Sequence, residues 1–439
     1  IPTEDSEMIV HSSTQNPTEV QHLVAHVLGT PHNAIEVVTR RMGGGFGGKE
    51  SDSSQLACMC AIFAQLCNLP VKARLSRMDD ILMTGKRHDF VADYDVGYSD
   101  DGKIQGIKID LAARCGYSLD LSKAIVSRAL FHADNAYYIP NATFRGFLCK
   151  TNTASNTAFR GFGGPQGMLA IENIIEEIAS NLGVDALTIR KINFYQKDTN
   201  NVTPYDQVVE DNIINELTSE LVEDSNYLTR REKVSKFNKQ NKYLKKGLAL
   251  SPVKFGISFT TPLLNQAGAL VNVYKDGSIY INHGGTEMGQ GLFIKVAQVV
   301  ANEFGVEIER VKVSATSTAK VPNTSPTAAS SGSDLNGMAA REACLRIKQN
   351  MSEFALKHFD LSIGEIKFQD SCVLLGKKKI TFDDFVSLSY LNRVELFSNG
   401  FYKTPKIYFD AIKQKGRPFY YYSYGACVSE VLVDCLTGE

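Results

Sequence analysis

The sequence lacks a strong net charge and a long apolar run, two features that would point to particular classes of protein. Its formal net charge is only −1 over 439 residues, with an isoelectric point of about 6.8. Nothing therefore favours binding to nucleic acid or to an anionic membrane surface. Its longest apolar run, Leu56 to Leu69, contains Gln65 and Asn68 and is too short to span a bilayer. We predict a buried helix there and no contact with a membrane.

The cysteines also lack the spacing of a metal site. No Cys-x-x-Cys pair occurs, so the sequence indicates neither a zinc site nor an iron–sulfur cluster. An odd number of scattered thiols favours reduced cysteines in a cytosolic compartment. They are Cys58, Cys60, Cys67, Cys115, Cys149, Cys344, Cys372, Cys427 and Cys435.

Glycine, in contrast, is concentrated between a predicted strand at 35–39 and a predicted helix that starts near Ser51. Five glycines lie in residues 43–48, where backbone can turn sharply and approach a ligand. Their amides, together with the following helix N-terminus, suit an anionic or polar ligand. The stretch partly matches a nucleotide-binding P-loop, but Glu50 replaces the hydroxyl residue that would hold Mg²⁺. We therefore rank a nucleotide hydrolase as a remote alternative.

Three further loops rich in glycine or serine each precede a predicted helix. Residues 155–166 lead into a helix at 168–182, residues 284–291 into one at 292–304, and residues 326–333 into one at 335–358. Alternating patterns predict strands at 71–75 and 255–260 and hairpins at 90–98 with 104–113 and at 269–274 with 278–282.

A change in composition suggests a domain boundary. Residues 204–246 are polar, helical in pattern and end in a basic run, which indicates a solvated helix face or a connector. We predict a first domain at 1–203, a polar helical connector at 204–246 and a second domain at 247–439. Each domain then holds two of the loops, and two such domains could clamp one large polar cofactor.

Five stretches, taken in order, resemble the molybdenum-cofactor-binding portion of the xanthine dehydrogenase/aldehyde oxidase family of molybdenum hydroxylases. The similarity runs along essentially the whole sequence. The stretches are residues 41–50 (RMGGGFGGKE), 128–132 (RALFH), 155–166 (SNTAFRGFGGPQ), 284–291 (GGTEMGQG) and 321–330 (VPNTSPTAAS).

The resemblance implies an α+β fold with two molybdopterin-binding subdomains and the cofactor site at their interface. It implies that Gln290 hydrogen-bonds the pterin. The molybdenum itself would be held by ligands of the cofactor, with no direct side-chain ligand. The residues expected to surround the metal, mainly through backbone groups, are Phe46, Gly47, Arg160, Ala329 and Ser330.

The resemblance also implies a substrate pocket for a flat heterocycle. A purine would lie between Phe162 and Phe259, and stacking on both faces suits such a ring. Thr260 would hydrogen-bond the edge of the substrate, while Leu121 and Leu264 would line the entry channel.

Glu50 and Arg128 decide between the two branches of the family. Both match the purine-gripping pair of the xanthine dehydrogenase branch, whereas aldehyde oxidases typically have apolar residues there. Arg128 would stabilise charge developing on the purine, and Glu50 would exchange protons with the ring. Without the resemblance, Glu50 would pass as a first-turn helix carboxylate and Arg128 as a surface residue.

The implied reaction is hydroxylation of hypoxanthine and xanthine to urate with oxygen derived from water. In the intact enzyme, electrons would pass through 2Fe–2S clusters and FAD domains of the same polypeptide to NAD or oxygen. The family implies a homodimer and a cytoplasmic location, with the peroxisome as the alternative. An aldehyde oxidase or an inactive binding module remain alternatives for the function.

The sequence departs from the family in what it does not contain. The family's general-base glutamate lies in a Gly-Glu-Pro type of motif, which is absent here. The iron–sulfur and flavin domains and an N-terminal glutamine loop near the metal are also absent. We therefore expect this chain alone to be inactive.

Overall fold

A computed structural model describes residues 1–439, with the exception of the side chain of Ile363. The chain forms two compact units, each built from two stretches of sequence. Unit 1 contains residues 1–86 and 263–405, and unit 2 contains residues 87–262 and 406–439. The sequence-based division at 204 and 247 follows the order of the chain and stays a prediction.

The chain contains both helices and strands throughout its length. The helices are α1 Pro17–Leu28, α2 Ser53–Cys67, α3 Arg77–Met83, α4 Ser122–Leu130, α5 Gly164–Leu182, α6 Ala186–Asn193, α7 Ile214–Asp224, α8 Tyr227–Gln240, α9 Leu292–Phe304, α10 Gly332–Phe359 and α11 Phe382–Leu391. Short 3₁₀ helices span Glu4–Ser6, His32–Ala34, Pro262–Leu264, Ile308–Arg310 and Ile363–Glu365.

The strands are β1 Met8–His11, β2 Ile35–Thr39, β3 Phe90–Tyr98, β4 Ile104–Gly116, β5 Ala142–Lys150, β6 Leu244–Ile257, β7 Gln266–Val273, β8 Ile279–His283, β9 Val311–Val313, β10 Thr316–Ser317, β11 Ile366–Gln369, β12 Cys372–Leu375, β13 Lys378–Thr381, β14 Phe397–Lys403, β15 Tyr408–Asp410, β16 Lys415–Arg417 and β17 Tyr421–Asp434. None of the helices in the described part of the chain combines the length and the apolar character that crossing a bilayer requires.

Unit 1 contains three small sheets. β1 runs parallel to β2, and β10 pairs antiparallel with the other edge of β2. A second sheet has the order β14-β7-β8-β9, and α10 packs against its strands β7 and β14. The third sheet has the order β11-β12-β13. The predicted 269–274 and 278–282 hairpin is confirmed as β7 and β8.

Two sequence predictions in unit 1 are wrong. Residues 71–75 form no strand, because they have no hydrogen-bonded strand partner among the described residues. The predicted helix at 56–69 forms as α2, but it buries only small residues, among them Ala57, Ala61 and Ala64. These share one face of the helix at a spacing of three to four residues, and Leu66 on another face is 75% exposed.

Unit 2 is centred on the sheet β3-β4-β5, in which the predicted hairpin of β3 and β4 is confirmed. Helix α5 packs four isoleucines into the hydrophobic core beside this sheet, as their spacing of three and four residues predicts. They are Ile171, Ile174, Ile175 and Ile178. The long strands β6 and β17 form a separate antiparallel pair.

The polar stretch 204–246 lies entirely within unit 2. Tyr227 and Val234 on α8 are buried in a cluster with Leu187, Leu248 and Leu250. The basic residues of the stretch include Arg230, whose guanidinium contacts the carboxylate of Glu430 on β17. The stretch thus packs one face of α8 onto the unit and exposes its charged face.

Candidate active site

Three of the four predicted loops come together in unit 1. The backbone N–H of Met42 donates to the carbonyl oxygen of Glu287 at 3.0 Å. The N–H of Thr286 donates to Oγ1 of Thr327 at 2.8 Å. These bonds join residues 42–50 to residues 284–291, and residues 284–291 to residues 326–331. The predicted cofactor-binding residues of unit 1 therefore lie on one connected set of loops.

The backbone of two of these loops is left-handed where the sequence analysis placed the cofactor. The φ angles are 55° for Phe46, 100° for Gly47, 56° for Ala329 and 58° for Ser330. Non-glycine residues adopt such angles at a cost, and they concentrate at functional sites. The ring of Phe46 is 60% exposed on this loop, which leaves a large apolar surface available to a ligand.

Gln290 is held within its own loop. Its Oε1 accepts from the N–H of Met288 at 2.6 Å, and its Nε2 donates to the carbonyl of Thr286 at 3.0 Å. An amide has two lone pairs on its oxygen and two N–H donors, so the side chain keeps capacity for a ligand. The hydrogen bond from Gln290 to the pterin stays a prediction.

Glu287 shapes the same loop from the inside. Its carboxylate accepts from the N–H groups of Gly289 at 2.8 Å, Gly291 at 3.1 Å and Phe293 at 3.0 Å. Burial favours the neutral carboxyl, but these three N–H groups outweigh burial and lower the pKa of Glu287. The Glu287 carboxylate therefore binds backbone N–H groups of the loop and of the first turn of α9.

The glycines test whether these loops fit a large cofactor. An added Cβ at Gly43 or at Gly289, both left-handed with φ of 78° and 100°, would meet no described atom within 4 Å. At Gly284 and Gly285, an added Cβ would instead clash with Thr324 and Asn336. Gly284 and Gly285 therefore pack tightly against neighbouring side chains, while the backbone of Gly43 and Gly289 faces open space. This surface fits a cofactor bound mainly through backbone groups.

The remaining predicted residues of unit 1 are Glu50 and Leu264. The Glu50 side chain is buried, and its N–H donates to the carbonyl of Gly47 at 3.1 Å. Glu50 precedes α2, which begins at Ser53, so it is not a residue of the first turn of the helix. Leu264 ends the 3₁₀ helix Pro262–Leu264 and is half-buried.

Arg128 in unit 2 is a buried residue, not the surface residue that its sequence context alone would suggest. It lies in the last turn of α4 and is 2% exposed. Its Nη1 donates to the carbonyl of Gly256 at 3.2 Å, and its Nη2 donates to the carbonyl of Ser258. The guanidinium carbon lies 5.3 Å from the ring centre of Phe255 and 5.2 Å from that of Phe419. Cation–π contact of this kind holds an arginine in one orientation.

His132 connects the helix of Arg128 to the strand that receives it. Its Nδ1 lies 2.8 Å from the carbonyl of Arg128, and its Nε2 accepts from the N–H of Gly256 at 3.0 Å. These partners require a neutral ring with the proton on Nδ1. Burial and the charges of Arg128 and Lys254 lower the pKa of His132 well below its ordinary value.

Beside His132 lies a buried ion pair. Lys254 Nζ is 3.3 Å from Asp134 Oδ2, and neither side chain is accessible to solvent beyond 1%. The hydroxyl of Tyr195 donates to the same carboxylate oxygen at 2.7 Å. The Lys254 ammonium lies over the ring of Tyr422, 4.4 Å from its centre. The sequence analysis missed this network, whose members Asp134, Tyr195, Lys254 and Tyr422 are far apart in the sequence.

The fourth loop, residues 155–163, carries Arg160 and Phe162 in front of α5. Phe162 has a φ of 51° and its N–H donates to the carbonyl of Phe159 at 2.8 Å. The carbonyl of Arg160 accepts from Arg87 Nη2 at 2.7 Å. All four loops therefore precede a helix, as predicted.

The other predicted substrate residues of unit 2 are Phe259, Thr260 and Leu121. Phe259 and Thr260 are buried directly after Ser258, and Leu121 is the N-terminal cap residue of α4. No group of three or more His, Cys, Asp or Glu residues suited to binding a metal occurs in the described part of the chain.

Comparison with known protein families identifies the family of this chain. Models described as "Molybdopterin cofactor-binding domain" match residues 1–194 and residues 220–439. The chain belongs to the molybdopterin cofactor-binding domain family. This membership confirms the predicted resemblance and the α+β fold, and it excludes the P-loop alternative.

Relatives and solved structures agree with this assignment. The chain is 46% identical to the xanthine dehydrogenase of Dictyostelium discoideum over 100% of its own length and 31% of the relative. It is 43% identical to the xanthine dehydrogenase/oxidase of Gallus gallus, with 99% and 31% covered. The chain thus spans about a third of the length of these curated relatives.

The fold matches two solved structures closely. Quinoline 2-oxidoreductase from Pseudomonas putida 86 gives a TM-score of 0.87 at 20% identity, covering 99% of this chain and 56% of that one. The aldehyde oxidoreductase of Desulfovibrio gigas gives 0.85 at 25% identity, covering 100% and 45%. The two proteins are named for different substrates, so these matches support the fold and do not identify a substrate for this chain.

Proposed function

We propose that this chain carries the molybdenum-cofactor-binding and purine-binding residues of a hydroxylase of the xanthine dehydrogenase type, acting on hypoxanthine and xanthine. The observation that carries the proposal is the buried, fully oriented guanidinium of Arg128. Two carbonyls and two aromatic rings fix it. An aldehyde offers no ring edge on which negative charge would need such a cation. The extended identity to xanthine dehydrogenases supports the same substrate class.

Backbone groups near Phe46, Gly47, Ala329 and Ser330 would hold the molybdenum cofactor, with Gln290 on its pterin and Arg160 close by. Their left-handed backbone and the bare surface at Gly289 support this role. When bound, the cofactor supplies the redox-active metal that accepts the electrons removed from the substrate.

The remaining residues would bind and polarise the purine. Phe162 and Phe259 would stack on its two faces and orient it. Arg128 would stabilise negative charge that develops on the ring during oxidation. Glu50, with Thr260, would hydrogen-bond the ring, and the Glu50 carboxyl would accept or return a proton at a ring nitrogen. Leu121 and Leu264 would line the entrance.

The complete enzyme would include more than this chain. The relatives are about three times as long as this chain, and the family resemblance implies that the additional length would hold 2Fe–2S and FAD domains. Electrons would leave through them to NAD or oxygen, and a cytoplasmic homodimer would follow the family. We propose that turnover requires this longer polypeptide, because the chain spans only about a third of these relatives.

Single substitutions at the proposed pair test the function. In the full-length protein, Glu50→Ala and Arg128→Ala should each lower kcat for xanthine by about 100-fold or more, as expected when a group that stabilises transition-state charge is lost. Molybdenum content should remain at the native level. Arg145→Ala is the matched control, because Arg145 forms an exposed ion pair with Asp110 on the same unit. Unchanged xanthine kinetics in both variants would remove the pair from the mechanism.

A further inference from the structure

We propose that Gln15 is a positioning residue that fixes the loop of Phe46 and Gly47 against the loop of Ala329 and Ser330. The consequence for the cofactor rests on the proposed function, while the positioning itself does not. Gln15 lies just before α1 and is 3% exposed.

The side-chain amide of Gln15 spans both loops. Its Oε1 accepts from the N–H of Gly47 at 2.9 Å, and its Nε2 donates to the carbonyl of Thr327 at 3.0 Å. Only one assignment of the amide satisfies both partners, because the oxygen must face the N–H and the nitrogen must face the carbonyl. The two partners lie 32 and 312 positions away along the chain.

The backbone of Gln15 bonds to the same two loops. Its N–H donates to the carbonyl of Lys49 at 2.8 Å, and its carbonyl accepts from the N–H of Thr327 at 2.9 Å. The main chain of Gln15 therefore makes one hydrogen bond to each of the two loops, and its side chain does the same. A loop bonded twice to one buried residue has little freedom to shift relative to the other loop.

These two loops need such external support. Phe46 and Ala329 are held at φ angles of 55° and 56°, which persist only where the surroundings enforce them. Gly47 receives the Gln15 bond directly, and Thr327 lies two residues before Ala329. Loss of the amide should let both loops relax toward ordinary backbone conformations, away from the arrangement proposed to bind the cofactor.

The glycine at position 45 shows how closely the amide fits. An added Cβ on Gly45 would lie 2.6 Å from Gln15 Oε1 and 2.7 Å from Met288 Sδ. Real Cβ atoms do not approach other atoms so closely, so Gly45→Ala would displace the Gln15 amide without altering Gln15. An added Cβ on Gly48, in the same loop, would meet only the carbonyl oxygen of Gly45 at 3.7 Å. Gly48→Ala is thus a matched control.

Gln21 offers a second control. It is buried on α1, and its Nε2 donates to the carbonyls of His32 at 3.0 Å and Ile35 at 2.7 Å. It therefore resembles Gln15 in burial and in its bonds to backbone, but these bonds go to His32 and Ile35 and to neither loop. Comparing Gln15→Met with Gln21→Met separates a positioning effect from a general loss of stability.

The experiment measures hydrogen–deuterium exchange and molybdenum content in the full-length protein. Gln15→Met and Gly45→Ala should speed exchange of amides in residues 43–49 and 326–331 about tenfold, as loss of one or two hydrogen bonds predicts. Molybdenum bound per folded protein should fall several-fold in both variants. Gln15→Glu, which retains an acceptor for Gly47, should give intermediate values. Gln21→Met should leave both quantities at the native level, and Gly48→Ala should leave amide exchange in residues 326–331 at the native level.

Each result has a defined meaning. Native exchange in both loops of Gln15→Met would overturn the positioning role, whatever the metal content. Faster exchange with unchanged molybdenum content would show that Gln15 positions the loops without affecting cofactor binding and would overturn that part of the proposal. Absence of molybdenum from the native protein would refute the proposed function, while the exchange data would still decide the role of Gln15.

Discussion

Replacement of His132 by leucine tests how Arg128 is held. The substitution removes the Nδ1 donor to the Arg128 carbonyl and the Nε2 acceptor for the Gly256 N–H. Both backbone groups would then be buried without these partners. At about 1–3 kcal/mol for each unsatisfied group, His132→Leu should lower the free energy of unfolding by about 2–6 kcal/mol at neutral pH.

The pH dependence of this loss gives a sharper result. Folded His132 has a pKa well below its ordinary value near 6.5, so at mildly acidic pH the unfolded chain binds a proton that the folded chain excludes. The stabilising contribution is therefore complete above about pH 6.5 and declines as the pH falls. Between pH 7 and pH 5 the wild type should lose stability from this residue alone, by at most about 2 kcal/mol. The variant lacks this loss, so the difference between the two proteins should shrink by about that amount.

Guanidinium chloride unfolding followed by circular dichroism at pH 5, 6, 7 and 8 measures both effects. His26→Leu, at an exposed position on α1, serves as the control and should remain close to the wild type. A difference between His132→Leu and the wild type that stays constant from pH 7 to pH 5 would refute the neutral, buried state of His132. A loss of stability below 1 kcal/mol at neutral pH would refute its role in holding the helix to the strand.

Two further substitutions in unit 2 can be measured with the same assay. Gly256→Ala should lower the free energy of unfolding by about 1–3 kcal/mol, because an added Cβ would lie 2.3 Å from the Phe419 ring. Gly425→Ala is the control and should be nearly neutral, because its Cβ would meet no described atom within 4 Å. Equal losses in the two variants would contradict this packing. Lys254→Met should lower the free energy of unfolding by about 3–5 kcal/mol, because it leaves the Asp134 carboxylate buried without its cation. The double variant that also carries Asp134→Leu should recover much of this stability. No recovery in the double variant would contradict the ion-pair explanation.

The sequence predicted elements whose signal is local. Strand β2 and helix α9 form over the predicted residues, since alternation and a spacing of three and four residues are visible within a short window. The strand expected at 71–75 fails because a strand also needs a partner, which a local pattern cannot provide. The apolar face of α2 was misjudged for a related reason. Hydrophobicity marks a helix as apolar, but packing in this fold selects its alanine face.

The candidate site divides in the same way. Stretches rich in glycine or serine predicted all four loops, because unusual backbone conformations leave a signature in composition. Gln15 and His132 left no such signature, since their partners at Thr327 and Gly256 lie 312 and 124 positions away. Hydrogen bonds across such separations follow from the fold and are not readable from one sequence.

The most direct test of the proposed function is the substrate of the native full-length protein. Urate formation from xanthine should be measured beside oxidation of an aromatic aldehyde, with the same enzyme preparation and electron acceptor. The account predicts strong urate formation, with kcat/KM for xanthine well above that for the aldehyde. Oxidation of the aldehyde without urate would contradict it, and would show that Glu50 and Arg128 do not select a purine.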